Sequence, residues 1–140
     1  MRHTAVLALI AAAVAMTSAQ SPRQVVNTGP ALGLPFSSAV KAGGLIYLSG
    51  AIATDAAGKT SGDIKDQTAR TLDGLAATLK AAGSSMPMVA SVMVYLRNAG
   101  DFAVMNDVYK TYWPKDPPTR TTVVAALARP EALVEISMVA

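Results

Sequence analysis

Two runs rich in Val, Ile and Thr close this chain: residues 117–126, PPTRTTVVAA, and residues 133–139, LVEISMV. β-branched residues favour strands, and proline-containing turns bound both runs, so this end of the chain has to build a β-sheet. The short loop between them, through Ala128, Arg129, Pro130 and Glu131, predicts a hairpin. Each run carries one charge: Arg120 opens the first strand and Glu135 sits inside the second. Pairing would put the Thr122 region opposite the Glu135 region and gather a guanidinium, a hydroxyl and a carboxylate at one end of the sheet. Two readings of those charges stand side by side. One is a structural ion pair or two solvent-facing side chains. The other is a carboxylate-binding arginine beside a glutamate that handles a proton or a water.

The other end of the chain has a different character. Met1, Arg2 and His3 form a short basic start, residues 4–16 are nearly all apolar, and Thr17, Ser18 and Ala19 are small. That order matches a secretory signal peptide, so residues 1–19 are expected to be cleaved near Ala19, leaving a secreted, periplasmic protein with no membrane contact. The apolar run falls short of the ~20 residues that a membrane-spanning helix needs. Residues 20–140 then form a single domain, long enough to bury a core. Removing Arg2 with the leader leaves eleven basic residues against nine acidic ones, a net charge of +2. Without a basic cluster, nucleic acid is not an expected partner.

The missing residue types narrow the chemistry further. There is no cysteine, and the one histidine, His3, lies in the leader. A Ser-His-Asp triad, a thiolate nucleophile and a histidine zinc site are therefore excluded from the domain. The acids are too scattered for a carboxylate metal cage, so no metal is expected.

Between the two ends, the periodicities predict β-β-α-β-α-β-β. Residues 25–27 suggest a short edge strand. Residues 36–42 and 45–52 form strands joined by Gly43-Gly44, a two-residue hairpin signal. Gly50 interrupts the second strand, which means a bulge or a close approach to the backbone. Asp63 caps a helix through Ala82, with Ile64, Thr68, Leu72, Leu75 and Leu79 on one face and Gly83 as its stop. Residues 88–96 form the most apolar strand, expected in mid-sheet and covered on both faces. Asp101 caps a second helix with a stripe of Phe102, Met105, Val108, Tyr109 and Tyr112, which Pro114 stops. Asn106 on that helix carries no local signal beyond an ordinary polar surface residue. The fold class is α+β, a mixed sheet with two helices on one face.

Several stretches, in this order and spacing, resemble the RidA (YjgF) family of enamine and imine deaminases. They are Leu34-Pro35-Phe36-Ser37, Ile46-Tyr47-Leu48-Ser49-Gly50, the helix of residues 67–83, Asp101-Phe102-Ala103-Val104-Met105-Asn106, Pro118-Thr119-Arg120-Thr121-Thr122-Val123 and Val134-Glu135-Ile136. The resemblance covers about 110 residues. It implies a chorismate-mutase-like fold and a homotrimer whose clefts lie between neighbouring subunits. An uncovered sheet face with alternating apolar residues suits such an assembly.

The resemblance also implies a site. Arg120 matches the arginine that grips the substrate carboxylate, and Glu135 the glutamate that positions or activates water. Ser49 and Gly50 match the pocket lining, and Asn106 a pocket asparagine. Phe36 stands where deaminase members often have tyrosine, and Thr122 where many have cysteine. The implied reaction is hydrolysis of 2-imino acids or their enamine tautomers to 2-oxo acids and ammonia, with no cofactor. A non-catalytic trimer that binds small carboxylates through the same clamp is the alternative. RNA cleavage, attached to some relatives, is disfavoured here by the absence of histidine from the domain.

Overall fold

The computed structural model describes residues 22–29 and 33–140. The expected signal peptide, residues 1–19, lies outside them. The strands are β1 (Gln24–Val26), β2 (Ala39–Ala42), β3 (Leu45–Ala51), β4 (Ser91–Leu96), β5 (Thr119–Val124) and β6 (Val134–Val139). The helices are α1 (Ile64–Ala81) and α2 (Phe102–Tyr112), with 3₁₀ turns at Met86–Met88 and Ala99–Asp101. One mixed sheet runs in the order β1-β2-β3-β6-β4-β5, so the α+β class and the element order match the expectation, with β1 as the added edge strand.

Local chemistry sets the element ends. The Asp63 carboxylate accepts from the Asp66 backbone N–H at 2.9 Å and caps α1. Gly83 closes the helix at φ +83°, a left-handed conformation that costs glycine nothing. Gly43 and Gly44 both have positive φ, as a two-residue turn between β2 and β3 requires. Asp101 does not cap α2 as expected. Its carboxylate takes a hydrogen bond from Asn98 Nδ2 instead, inside the 3₁₀ turn that leads into the helix. The strand expected over residues 36–42 is shorter, starting at Ala39, because Ser37 and Ser38 bond across to Ser49 and to the Asn27–Thr28 segment as loop residues.

The core lies between the helices and one sheet face. Leu72, Leu75 and Leu79 of α1 and Met105 and Tyr109 of α2 pack over Val92, Val94, Leu96, Val134, Ile136 and Met138. Each such leucine contributes about 1.5–3 kcal/mol when fully buried. Gln67 is also buried. Its Nε2 donates to the Gly62 and Glu131 carbonyls and its Oε1 accepts from Leu133 N, which ties α1 to the segment entering β6.

Two larger expectations also fail. The two closing strands do not form a hairpin, because β4 runs between them, parallel to β5 and antiparallel to β6. The chain reaches β5 from β4 through α2, a crossover that makes the pair parallel. Residues 125–133 then carry it past β4 to the slot beside β3. Nor is β4 covered on both faces. Val92, Val94 and Leu96 are buried, whereas Ser91, Met93 and Tyr95 are half-exposed on the face that carries no helix.

Candidate functional site

The sheet register sorts the site residues into two groups. In β5, Arg120 pairs with Val92 and Thr122 with Val94, and both β4 residues point into the helix-covered face. In β6, Glu135 pairs with Tyr95, which points to the open face. Side chains of paired residues share a face and successive ones alternate. Arg120 and Glu135 therefore lie on opposite faces of the sheet, two strands apart, or roughly 10 Å in the hydrogen-bonding direction. The expected gathering of guanidinium, hydroxyl and carboxylate within one chain does not occur, since it depended on a hairpin that the fold lacks.

The first group sits where β5 meets α2. The Arg120 guanidinium carbon lies 4.6 Å from the Tyr109 ring centroid and 5.8 Å from that of Phe102. Phe102, Asn106 and Tyr109 follow at i, i+4 and i+7, so one face of α2 presents all three. Among the described residues Arg120 makes no ion pair; the two present are Lys110–Asp107 and Arg129–Glu131, both on the surface. The structural ion pair that the sequence left open is thus not the role of Arg120. The hydroxyls of Tyr109 and Thr122 are buried and have no hydrogen-bond partner among the described residues. Burial pushes the Tyr109 phenol above its usual pKa, and the Arg120 charge opposes that rise.

The second group surrounds Gly50. The register of β3 against β6 shifts between Leu48 and Ala51, so a bulge is present. A β-carbon on Gly50 would collide with the Glu135 carboxylate, so close approach is present as well. Gly50 and Glu135 share the lining of a cavity of about 440 Å³ with Tyr95, Ser137 and residues 125–128. Ser49 Oγ donates to the Ser37 carbonyl at 2.7 Å, pinning the loop that carries Phe36. As a hydrogen-bond donor, Ser49 is committed to that loop. Phe36 is 59% exposed and lies in a neighbouring groove with Leu34, Val40 and Ser49.

The sequence reading did not find Tyr109 as the platform under Arg120; it stood only as a member of the apolar stripe. Tyr95, Ser137 and the alanine-rich loop of residues 125–128 were also missed. Their membership depends on β6 pairing with β4, which no local pattern announces. Among the described residues, no three His, Cys, Asp or Glu side chains are grouped to hold a metal ion.

A family model described as Endoribonuclease L-PSP matches residues 26–140. The chain belongs to this family, the RidA/YjgF family. It is similar to the Schizosaccharomyces pombe protein mmf2, mitochondrial, with 44% identity over 66% of this chain and 74% of that protein. It is 32% identical to the chloroplastic Reactive Intermediate Deaminase A of Arabidopsis thaliana, over 92% of this chain and 71% of the relative. It is also 32% identical to a 2-iminobutanoate/2-iminopropanoate deaminase of Dermatophagoides farinae, over 85% of this chain and 96% of the relative. A crystal structure of RidA from an Antarctic Psychrobacter superposes with a TM-score of 0.77 at 30% identity, covering 83% of this chain and 97% of that one.

RidA family members thus include one named for deamination of reactive intermediates and one named for deamination of 2-iminobutanoate and 2-iminopropanoate. The expectation of a secreted, periplasmic protein is corrected by the same relatives, two of which are named for the mitochondrion and the chloroplast, compartments inside a cell. The apolar, small-residue start is a compositional pattern, and composition alone does not establish export.

Proposed function

We propose that this chain hydrolyses 2-imino acids and their enamine tautomers to 2-oxo acids and ammonia, in clefts between the subunits of a homotrimer. The observation that carries the proposal is the Arg120 guanidinium, held against two aromatic rings and free of any carboxylate among the described residues. Its planar fork suits a small carboxylate through two parallel charge-assisted hydrogen bonds. A second copy must bring the glutamate, because the Glu135 of the same chain faces away. The open sheet face favours such an assembly: Leu45, Tyr47 and Val123 are 42%, 46% and 39% exposed there.

In the proposed reaction Arg120 holds the substrate carboxylate, which fixes the neighbouring C=N carbon. Glu135 of the adjoining copy orients a water and accepts its proton as the oxygen bonds to that carbon. That proton passes to nitrogen to give a carbinolamine; the same glutamate then moves the hydroxyl proton to the amino group, the C–N bond breaks, ammonia leaves and the carbon becomes a ketone. An enamine first takes a proton on carbon to become the imine. Gly50 leaves room for the glutamate, Thr122 and Asn106 line the arginine side, and Phe36 and Ser49 line the glutamate side. Side chains of the two copies and one water supply every group in this scheme, so no cofactor enters it.

A semicarbazide-competition assay on freshly generated 2-iminobutanoate tests the proposal. Less trapped imine than in the protein-free control is the expected result; equal trapping refutes it. Phe36, which lacks a hydroxyl, favours a second reading, binding of 2-oxo acids without turnover. Calorimetric binding in a protein inactive in the trapping assay would select it. The family description also names endoribonucleases, and an intact RNA substrate after incubation with nuclease-free protein sets that activity aside.

A further inference from the structure

We propose that Tyr109 is a positioning residue, whose ring orients the Arg120 guanidinium toward its ligand. This rests on the carboxylate-binding role proposed for Arg120. A free arginine side chain samples many rotamers, and a bidentate grip on a planar anion needs one of them. In this chain no carboxylate among the described residues fixes the guanidinium. What lies against it instead is the Tyr109 ring, 4.6 Å from centroid to guanidinium carbon, with Phe102 at 5.8 Å. An aromatic face attracts a cation through its quadrupole and leaves all the N–H donors of the guanidinium free for a ligand.

Tyr109 is itself held in place. It is 6% exposed, and its ring packs on Trp113 at 4.7 Å between centroids. Trp113 Nε1 in turn donates to the Met86 carbonyl at 2.8 Å. Guanidinium, phenol and indole form a chain of contacts that ends in a backbone hydrogen bond. The Tyr109 hydroxyl makes no hydrogen bond among the described residues, so the ring, not the hydroxyl, is the working part.

The experiment compares the affinities of the full-length protein for 2-oxobutanoate and for its neutral methyl ester. The ratio isolates the contribution of the carboxylate, which a general loosening of the site does not alter selectively. Tyr109→Leu is expected to lower that ratio roughly ten-fold and to raise KM more than it lowers kcat. Tyr109→Phe, which keeps the ring, retains the ratio. An unchanged ratio in Tyr109→Leu, or an equal fall in Tyr109→Phe, overturns the inference. Should Tyr109→Leu fail to fold, Tyr109→Met decides, since an unbranched side chain fills an irregular buried site without supplying a ring: a fall in the ratio supports the inference and an unchanged ratio overturns it. If the wild type shows no preference for the carboxylate, the carboxylate role of Arg120 fails and this inference with it. If the wild type shows the preference and the variants leave it untouched, this inference alone fails.

Discussion

The two faces of the sheet differ in how far the chain completes them. On the helix-covered face Val134, Ile136 and Met138 are at most 2% exposed, and α1 and α2 close over them. On the other face the alternate residues of the same strand, Glu135, Ser137 and Val139, are half-exposed. Leu45, Tyr47 and Val123 join them with large apolar surfaces open to water. The hydrophobic effect is satisfied on one side within a single chain, whereas the other side leaves large apolar side chains exposed. The residues proposed for chemistry divide along the same plane, with Arg120 on the covered side and Glu135 on the open side.

That contrast is sharpened first by truncating one apolar side chain from the covered core and one from the open face. Leu72→Ala, at a fully buried position, is expected to destabilise the fold by about 2–5 kcal/mol in urea titration. Leu45→Ala on the open face is expected to leave the fold of each copy intact and to shift the mass measured by light scattering toward monomer. Equal effects on both faces would break the distinction. Gly50→Ala drives a methyl group into the Glu135 carboxylate; displacing it is expected to lower kcat/KM on the order of a hundred-fold with little change in melting temperature.

Smaller effects come from the helix side. The one Tyr112 hydroxyl proton is shared between the Asp73 carboxylate at 2.8 Å and the Ala69 carbonyl at 3.0 Å, joining α2 to α1. Burial and then the Asp73 carboxylate push its pKa up to about 12. The unfolded phenol ionises near its ordinary value of about 10, so between those values the folded state binds more protons. Stability is therefore expected to be fully present below about pH 10 and to fall as pH rises toward 12. Tyr112→Phe flattens that part of the profile, and an unchanged slope in the variant contradicts the assignment. Least of all, Thr71→Val is expected to be neutral or to stabilise by up to about 1 kcal/mol, because the buried Thr71 hydroxyl has no partner among the described residues to lose.

Elements with local signals were legible in the sequence. The cap, apolar stripe and stop of α1 fall where the Asp63, Leu72 and Gly83 pattern puts them. Gly43-Gly44 makes its turn, and Gly50 marks both a bulge and a close contact. Pairing between distant strands was not legible. Residues 117–126 and 133–139 have the composition of a hairpin, but composition carries no information about a third strand inserting between them. The error moved Glu135 to the wrong face relative to Arg120, because a strand's side chains alternate and only register decides which side each takes. Arg120 stood out as a charge in an apolar run, whereas Tyr109 beneath it looked like any other core aromatic.

The proposed site is assembled from two copies, and complementation tests that directly. Arg120→Ala and Glu135→Ala chains, each expected to be inactive alone, are co-expressed and mixed oligomers are confirmed by mass. Random assembly pairs an intact Arg120 with a neighbour's intact Glu135 in roughly a quarter of clefts, so imine hydrolysis is expected to recover to about that fraction of the wild-type rate. Mixed oligomers that form and show no recovery would contradict it.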